Sequence, residues 1–424
     1  MAERFFGYCN RVMDLKQHLD SVRDARVGPE YSLQSGLSKV IACVVTAVPS
    51  FNQMEKVIKE GTLDKVGGCT TPTADTLSST VAAANLGDTV AINDAFITKG
   101  RRNKSLEQTT VEGYRVVAMD GSGLFSTVST RLGEKACHYR KDVHGETTTR
   151  KQYLAHTLCV SYVGGSGPKP ILALVPIPPG KGETTVAKET LVDLHQRHWR
   201  YCDIVTLDSL YAKAPVLNPI LDQNKDFVVR VKQENFLIIQ DANGLFDQRQ
   251  PDEVHTRIRR GEKHVYYDLE IWDEEEFTSW AKVQRPLRVL RIRVTRTKEK
   301  ADGTVLKTET YTTHLVTSCP KATVPGLVIW KIAHKRWDIE NTGFHFLKNH
   351  FCLEHAYGYD ESVIAGMLAL FALAYNLFQL FVRRNLRSFD AKADTLLEVI
   401  RCIHDGLVEL RVRSRAKDLM MRQE

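Results

Sequence analysis

Hydrophobic and polar residues follow different periods in different parts of this chain. Near the N-terminus the apolar segment Leu37–Val48 precedes a segment, Phe51–Glu60, whose apolar residues recur at helical spacing. Thr73, after a Thr-Thr-Pro sequence, is placed to cap a helix that runs to about Ala84. The pattern therefore predicts a helical N-terminal domain over residues 1–108.

Between residues 109 and 232, short β-branched runs alternate with helix-like segments, and this alternation predicts a sheet flanked by helices, an α/β fold. The predicted strands are Tyr114–Met119, Gly123–Thr127, Leu154–Tyr162, Ile171–Val175, Ile204–Leu207 and Phe227–Val231. The predicted helices are Thr184–His198 and Pro215–Asp222.

Residues 233–325 predict a β-rich insertion, with long charged segments between its strands. Its clearest unit is a hairpin of Leu287–Thr297 and Val305–Thr317, joined by a turn around Asp302. In the first strand apolar side chains share one face, and Arg291 and Arg293 share the other. That basic face suits either a nucleic-acid contact or ordinary exposure to solvent.

Residues 326–385 begin within a predicted helix, Val324–Phe351, and continue into the apolar stretch Val363–Val382. This stretch is long enough to cross a membrane, but Asn376 and Gln379 interrupt it, so a buried helix is the preferred interpretation. Residues 386–424 predict a helical C-terminal tail.

Composition narrows the class of protein only slightly. The 424 residues are 43% hydrophobic and 26% charged, as in ordinary globular proteins, and the net charge of +7 permits a polyanionic partner without establishing one. Nine cysteines, with no C-x-x-C pair, disfavour a disulfide framework. The Cys and His residues between Cys137 and Cys159 match no standard zinc spacing. No secretory signal is recognised at Met1–Gln17, so a cytoplasmic location is expected.

Three carboxylates carry the candidate chemistry. Asp120 and Asp208 each end a β-branched run, and Glu340 lies on a basic, aromatic helix. Such residues, brought together, could hold two divalent cations for phosphoryl transfer. Each also has an ordinary interpretation: a turn residue, a helix cap, and an ion pair with Arg336 four residues earlier, respectively.

The segment His334–Lys348 resembles the glutamate helix of bacterial insertion-sequence transposases of the DDE type, which carry a β-domain before that helix. Their signature there is tyrosine, arginine, glutamate and lysine in order. Asp120, before a glycine, and Asp208, within Asp-Ser-Leu-Tyr-Ala, resemble the two aspartates of that family. The similarity covers roughly residues 110–385. Ala333 replaces the tyrosine, and Lys348 lies one position later than usual.

The resemblance implies an RNase H-like sheet, with Asp120, Asp208 and Glu340 holding two Mg²⁺ ions, for which Mn²⁺ is a substitute. It implies that Arg336 and Lys348 hold DNA phosphates. Trp337 and Tyr211 would each either stack on a base or pack in the core.

The expected protein is a transposase that binds double-stranded DNA, both transposon ends and target, as a homodimer in the synaptic complex. The N-terminal domain would serve DNA binding or dimerisation. Two alternatives remain: a metal-dependent nuclease of this fold that does not join strands, and an inactive DNA-binding derivative. The sequence Pro179–Thr184 fails the phosphate-loop pattern, so no nucleotide cofactor is expected, and Glu183 within it is either near the active centre or an ordinary helix-start glutamate.

Overall fold

The protein is described by a computed structural model that covers residues 1–144, 149–259, 264–386 and 395–421. Its contacts divide the chain into two compact units that draw on segments distant in sequence. Unit 1 comprises Met1–Thr109, Gly121–Val186 and Ile339–Glu424, and unit 2 comprises Thr110–Asp120 and Ala187–Asp338. The division into five segments made above stays a prediction.

The N-terminal part of unit 1 is helical, as the periodicity predicts. Its helices are α1 (Ala2–Arg11), α2 (Leu15–Asp20), α3 (Leu33–Val45), α4 (Phe51–Lys59), α5 (Asp64–Gly67), α6 (Ala74–Ala83) and α7 (Leu86–Arg102). Thr73 caps α6, since its hydroxyl accepts a hydrogen bond from the Thr76 amide at 3.2 Å. Ser32, Ser50 and Asn85 cap α3, α4 and α7 in the same way.

The strands of unit 1 are the second half of β1 (Val116–Thr127), β2 (Tyr139–His144), β3 (Thr149–Val163) and β4 (Ile171–Ile177). β3 pairs in antiparallel register with β2 along its first half and with β4 along its second. Further elements of the unit are α8 (Thr130–Ala136), a π-helix (Ile339–Phe344), α13 (His345–His350) and α14 (Glu361–Asn385). The C-terminal helix, α15, spans Leu396–Met421.

α14 is the apolar helix whose sequence is compatible with either a buried core helix or a membrane span. It is the one helix in the described ranges with the length and hydropathy for a span, and its apolar window lies entirely inside the protein. Asn376 has a structural role there, because its side chain accepts from the Ile171 amide at 2.8 Å and donates to the Ile171 carbonyl at 2.8 Å. It also donates to Asn93 of α7. A fully bonded polar group ties α14 to strand β4 and helix α7, and the predicted buried helix is confirmed.

Unit 2 is built on a mixed sheet. The first half of β1 pairs in parallel with β5 (Ile204–Leu207), and β5 pairs in parallel with β6 (Asp226–Val231). Antiparallel strands continue from β6 in the order β10 (Val305–Thr317), β9 (Leu287–Glu299), β8 (Val265–Phe277) and β7 (Glu253–Arg259). The helices are α9 (Glu183–Arg197, mostly in this unit), α10 (Ala214–Asp222), α11 (Leu237–Phe246) and α12 (Gly326–Lys335).

The predicted fold class, a mixed sheet with flanking helices and a β-rich insertion, is confirmed, and so is the β9–β10 hairpin. Through the pairing of β10 with β6, the insertion extends the sheet of unit 2. Two predictions are wrong. The segments Tyr114–Met119 and Gly123–Thr127 form one strand, β1, and the predicted helix Val324–Phe351 is interrupted by the π-helix.

The insertion is anchored by a buried ion pair between β8 and β9. Arg288 donates two hydrogen bonds to Asp273, at 2.7 and 2.6 Å, and a third, at 2.7 Å, to the Val324 carbonyl ahead of α12. The Arg288 side chain is 2% exposed and that of Asp273 is fully buried.

Replacing Arg288 by Met should lower the free energy of unfolding by about 3–5 kcal/mol, because it leaves the Asp273 charge buried without its partner. Urea titration measures this change. Arg293→Met is the matched control on the same strand, since the Arg293–Glu270 pair is largely exposed and should contribute under about 1 kcal/mol. Equal losses in the two variants would contradict the assigned role of the buried pair.

Candidate active site

Asp120 and Asp208 are placed side by side by the pairing of β1 with β5. The two strands run parallel in register, with Met119 opposite Leu207, so the next residue on each strand is an aspartate. The paired segments are buried along their length, which holds both strands rigidly. Asp120 lies within β1, while Asp208 directly follows β5, so the two carboxylates leave adjacent strands at one level. Asp208 makes no capping hydrogen bond to the 3₁₀ helix Ser209–Tyr211, which weighs against its interpretation as a cap.

Each aspartate has a cation beside it. Arg336, the residue after α12, donates from Nη1 to Oδ2 of Asp120 at 2.6 Å, and the two side chains are 9% and 16% exposed. The Nζ of Lys232 lies 4.0 Å from Oδ1 of Asp208. These cations offset the repulsion that two neighbouring carboxylates would otherwise create.

Glu340 and Lys348 belong to unit 1. Glu340 is in the π-helix and is partly exposed, and this π-helix packs against β3. Lys348, in α13, forms an ion pair with Glu354 at 2.7 Å. A π-helical turn is the usual way for a helix to accommodate one additional residue, and such turns are frequent at functional sites. It accounts for the longer spacing between Glu340 and Lys348. Arg336 and Glu340 do not share one continuous α-helix, as the predicted helix Val324–Phe351 would require, because α12 ends at Lys335 and the π-helix begins at Ile339.

The other predicted DNA-contacting residues have varied environments. Trp337 is 50% exposed rather than packed in the core, whereas Tyr211 is fully buried. Arg291 is 14% exposed: it pairs with Asp247, and its guanidinium lies 4.5 Å from the centre of the Trp272 ring. Arg293 is largely exposed and pairs with Glu270. The roles of all four in DNA binding stay predictions.

Cys137 and Cys159 are buried, and His138 and His156 are partly buried. The rings of His138 and His156 meet edge to face at 5.9 Å, and burial raises the pKa of Cys137 to about 11. The described part of the chain contains no group of three or more His, Cys, Asp or Glu residues positioned to hold a metal ion.

A divalent cation nevertheless suits the donor chemistry of the two aspartates, since Mg²⁺ and Mn²⁺ prefer carboxylate oxygens. Asp120 and Asp208 follow paired, buried strand segments at one level, and both are partly exposed. Glu340 as the third ligand stays a prediction.

Similarity to known proteins decides the family. The family model described as "Transposase DDE domain" matches residues 111–377, which is more than half of the chain. This chain belongs to the DDE transposase family. The match includes Asp120, Asp208 and Glu340, and it confirms the resemblance noted from sequence.

Other comparisons add less about this transposase. The solved structure entitled "Cryo-EM structure of piggyBac transposase synaptic complex with hairpin DNA" aligns with 98% of this chain and 79% of that one. The identity is 11% and the TM-score 0.41, which is too low to carry an argument. No curated protein matches the chain.

Sequence reasoning gave little weight to one residue near this site. The carboxylate of Glu183 lies against the backbone of Gly121, the residue that follows Asp120. The sequence signal for this contact was Gly121 itself, because a glycine next to a candidate metal ligand can mark the close approach of another group.

The Arg336–Asp120 pair leads to a prediction about metal affinity in this transposase. Arg336→Gln should tighten Mn²⁺ binding roughly tenfold in the absence of DNA, because a charge-assisted hydrogen bond no longer competes for the carboxylate. Titration of free Mn²⁺ by electron paramagnetic resonance measures the dissociation constant. Lys335→Gln is the control, since Lys335 pairs with Asp338 instead. An unchanged affinity in Arg336→Gln would contradict the competition.

Proposed function

We propose that this transposase binds the inverted-repeat ends of a mobile element and catalyses metal-dependent cleavage and strand transfer of DNA. The observation that carries the proposal is the pair of aspartates at one level on adjacent parallel strands, in a chain of the DDE family. Rigid strands hold catalytic ligands more precisely than loops do.

In this proposal Asp120 and Asp208 hold the divalent ions, Mg²⁺ with Mn²⁺ as a substitute, and Glu340 completes the site. Two bound ions would activate the attacking water or 3′-hydroxyl and stabilise the leaving oxygen. The protein would contribute orientation, because β1 and β5 pair in parallel register directly before the two aspartates.

Arg336 has a second function in the proposal. Its guanidinium donates to Asp120 in the DNA-free protein, and the same fork of donors suits a phosphate group. We expect a transposon-end phosphate to draw Arg336 away and so free the Asp120 carboxylate. Arg336 would thereby couple DNA binding to assembly of the metal site.

DNA contact completes the proposal. The net charge of +7 and the basic residues Arg336 and Lys348 suit a polyanion, and half-exposed Trp337 is available to stack on a base. Tyr211 is buried, so its proposed contribution is support of the segment after Asp208. We propose that two copies of the chain bind the two ends in a synaptic complex in the bacterial cytoplasm.

Asp120→Ala and Asp208→Ala should each lower end cleavage on the order of a thousandfold or more and leave DNA affinity nearly unchanged. The measurement uses purified full-length protein and labelled duplex carrying the element's own ends, with Mg²⁺, Mn²⁺ or EDTA. Asp241→Ala, an exposed aspartate in α11, is the matched control. Full cleavage by either site variant would show that the active site lies elsewhere.

The products of the same reaction distinguish the proposed function from its alternatives. Labelled 3′-ends joined to target DNA would establish a transposase that completes strand transfer. Cleavage without joining would indicate a nuclease, and end binding without cleavage would indicate an inactive derivative.

A further inference from the structure

Glu183 is the first residue of α9, and a tight turn places it there. Lys181 donates a backbone hydrogen bond to the Pro178 carbonyl at 3.2 Å, with Pro179 and Gly180 between them. Gly180 has a φ of +80°, which proline followed by glycine provides in a type II turn. The phosphate-loop-like sequence is thus a turn that sets the start of α9 and the position of Glu183.

The Glu183 carboxylate occupies space that only a glycine at position 121 leaves open. A Cβ atom on Gly121 would collide with Oε1 of Glu183 and would lie 2.7 Å from Oε2. A side chain at position 121 would therefore displace the Glu183 carboxylate. Because Gly121 is joined by a peptide bond to Asp120, the contact lies one residue from the point where the Asp120 side chain leaves β1.

The Glu183 carboxylate is close enough to His156 of β3 to affect its pKa, and the ring of His156 meets that of His138. Burial lowers the pKa of His156 on β3, His138 and Lys348 act in the same direction, and the Glu183 carboxylate opposes them. The Nδ1 atoms of His138 and His156 are buried and have no hydrogen-bond partner in the described residues. β3 is also the strand against which the π-helix with Glu340 packs.

We propose that Glu183 is a positioning residue of the DDE site: its carboxylate, packed against Gly121, holds β1 so that Asp120 is correctly oriented. The inference rests on the proposed function. An ordinary helix-start glutamate would instead contribute only a small stabilisation through the helix dipole.

Glu183→Ala removes the carboxylate that is packed against Gly121, whereas Glu183→Gln keeps the shape of the side chain and should retain most of the activity. Glu183→Ala should lower end cleavage and weaken Mn²⁺ binding by about 10–100-fold, the usual effect of losing a group that orients a metal ligand. DNA affinity and the melting temperature should stay near their original values. Glu189→Gln, an exposed glutamate on the same helix, is the control and should change none of these quantities.

The Gly121 contact supplies an independent test by a double-mutant cycle. Gly121→Ala alone should impair cleavage and Mn²⁺ binding, because its methyl group collides with the Glu183 carboxylate. Combined with Glu183→Ala, it should add no further defect, because the colliding group is gone. Fully additive effects would overturn the contact as the cause.

The outcomes separate the two proposals. If the wild type cleaves and Glu183→Ala cleaves and binds Mn²⁺ within about twofold of it, Glu183 is a helix-start residue and this inference fails alone. If the wild type does not cleave DNA, the proposed function fails, and Mn²⁺ affinity still decides whether Glu183 orients the metal-binding aspartate. A fall in melting temperature that accounts for the lost activity would also overturn the positioning role.

Discussion

The parallel pairing of β1 with β5 is the constraint on which the candidate site depends. Val116–Met119 and Ile204–Leu207 are buried in the sheet, and the burial of both segments sets their register. Side chains alternate across a strand, so a slip of one residue would turn Asp120 or Asp208 to the opposite face. The hydrophobic core of unit 2 therefore determines where the side chains of Asp120 and Asp208 lie.

Cations next to the two aspartates lower the net negative charge of that site. Arg336 contacts Asp120, and Lys232 lies close to Asp208. The proposal above gives Arg336 a second partner, a DNA phosphate, which its fork of donors suits. The Arg288–Asp273 pair differs, because it is completely buried and links two strands of the insertion to the segment before α12. Its contribution is structural.

The π-helix shows how a local irregularity can serve a functional segment. One additional residue between Glu340 and Lys348 would rotate an uninterrupted α-helix and turn the lysine about a quarter-turn from its usual direction. The π-helical turn absorbs that residue within Ile339–Phe344. Helix packing can then continue into α13, whose Phe346 contacts the aromatic rings of Tyr375 and Phe378 in α14.

Local patterns in the sequence determined much of this fold. Ile204–Leu207 is predicted to the residue, as are the Thr73 cap and the second strand of the β9–β10 hairpin, because alternation, capping and turn preferences act over a few neighbouring residues. The three candidate carboxylates were identified in the same way, from short motifs. The sequence predicted two strands where the structure has the single strand β1. The glycines on either side of Ser122 weaken a strand and so indicated a break, but pairing within the sheet keeps the strand continuous there.

The tertiary structure alone decided which groups meet. Nothing in the local sequence brings Arg336 to Asp120, 216 residues away, or the Glu183 carboxylate to the space beside Gly121. Nor does it show that Asn376, polar within an apolar helix, bonds fully to β4 and α7. These contacts join residues far apart in the chain, and they form only once the packed sheet and helices bring their backbones together. The sequence by itself thus determined the elements and the candidate acids, and the packing determined their partners.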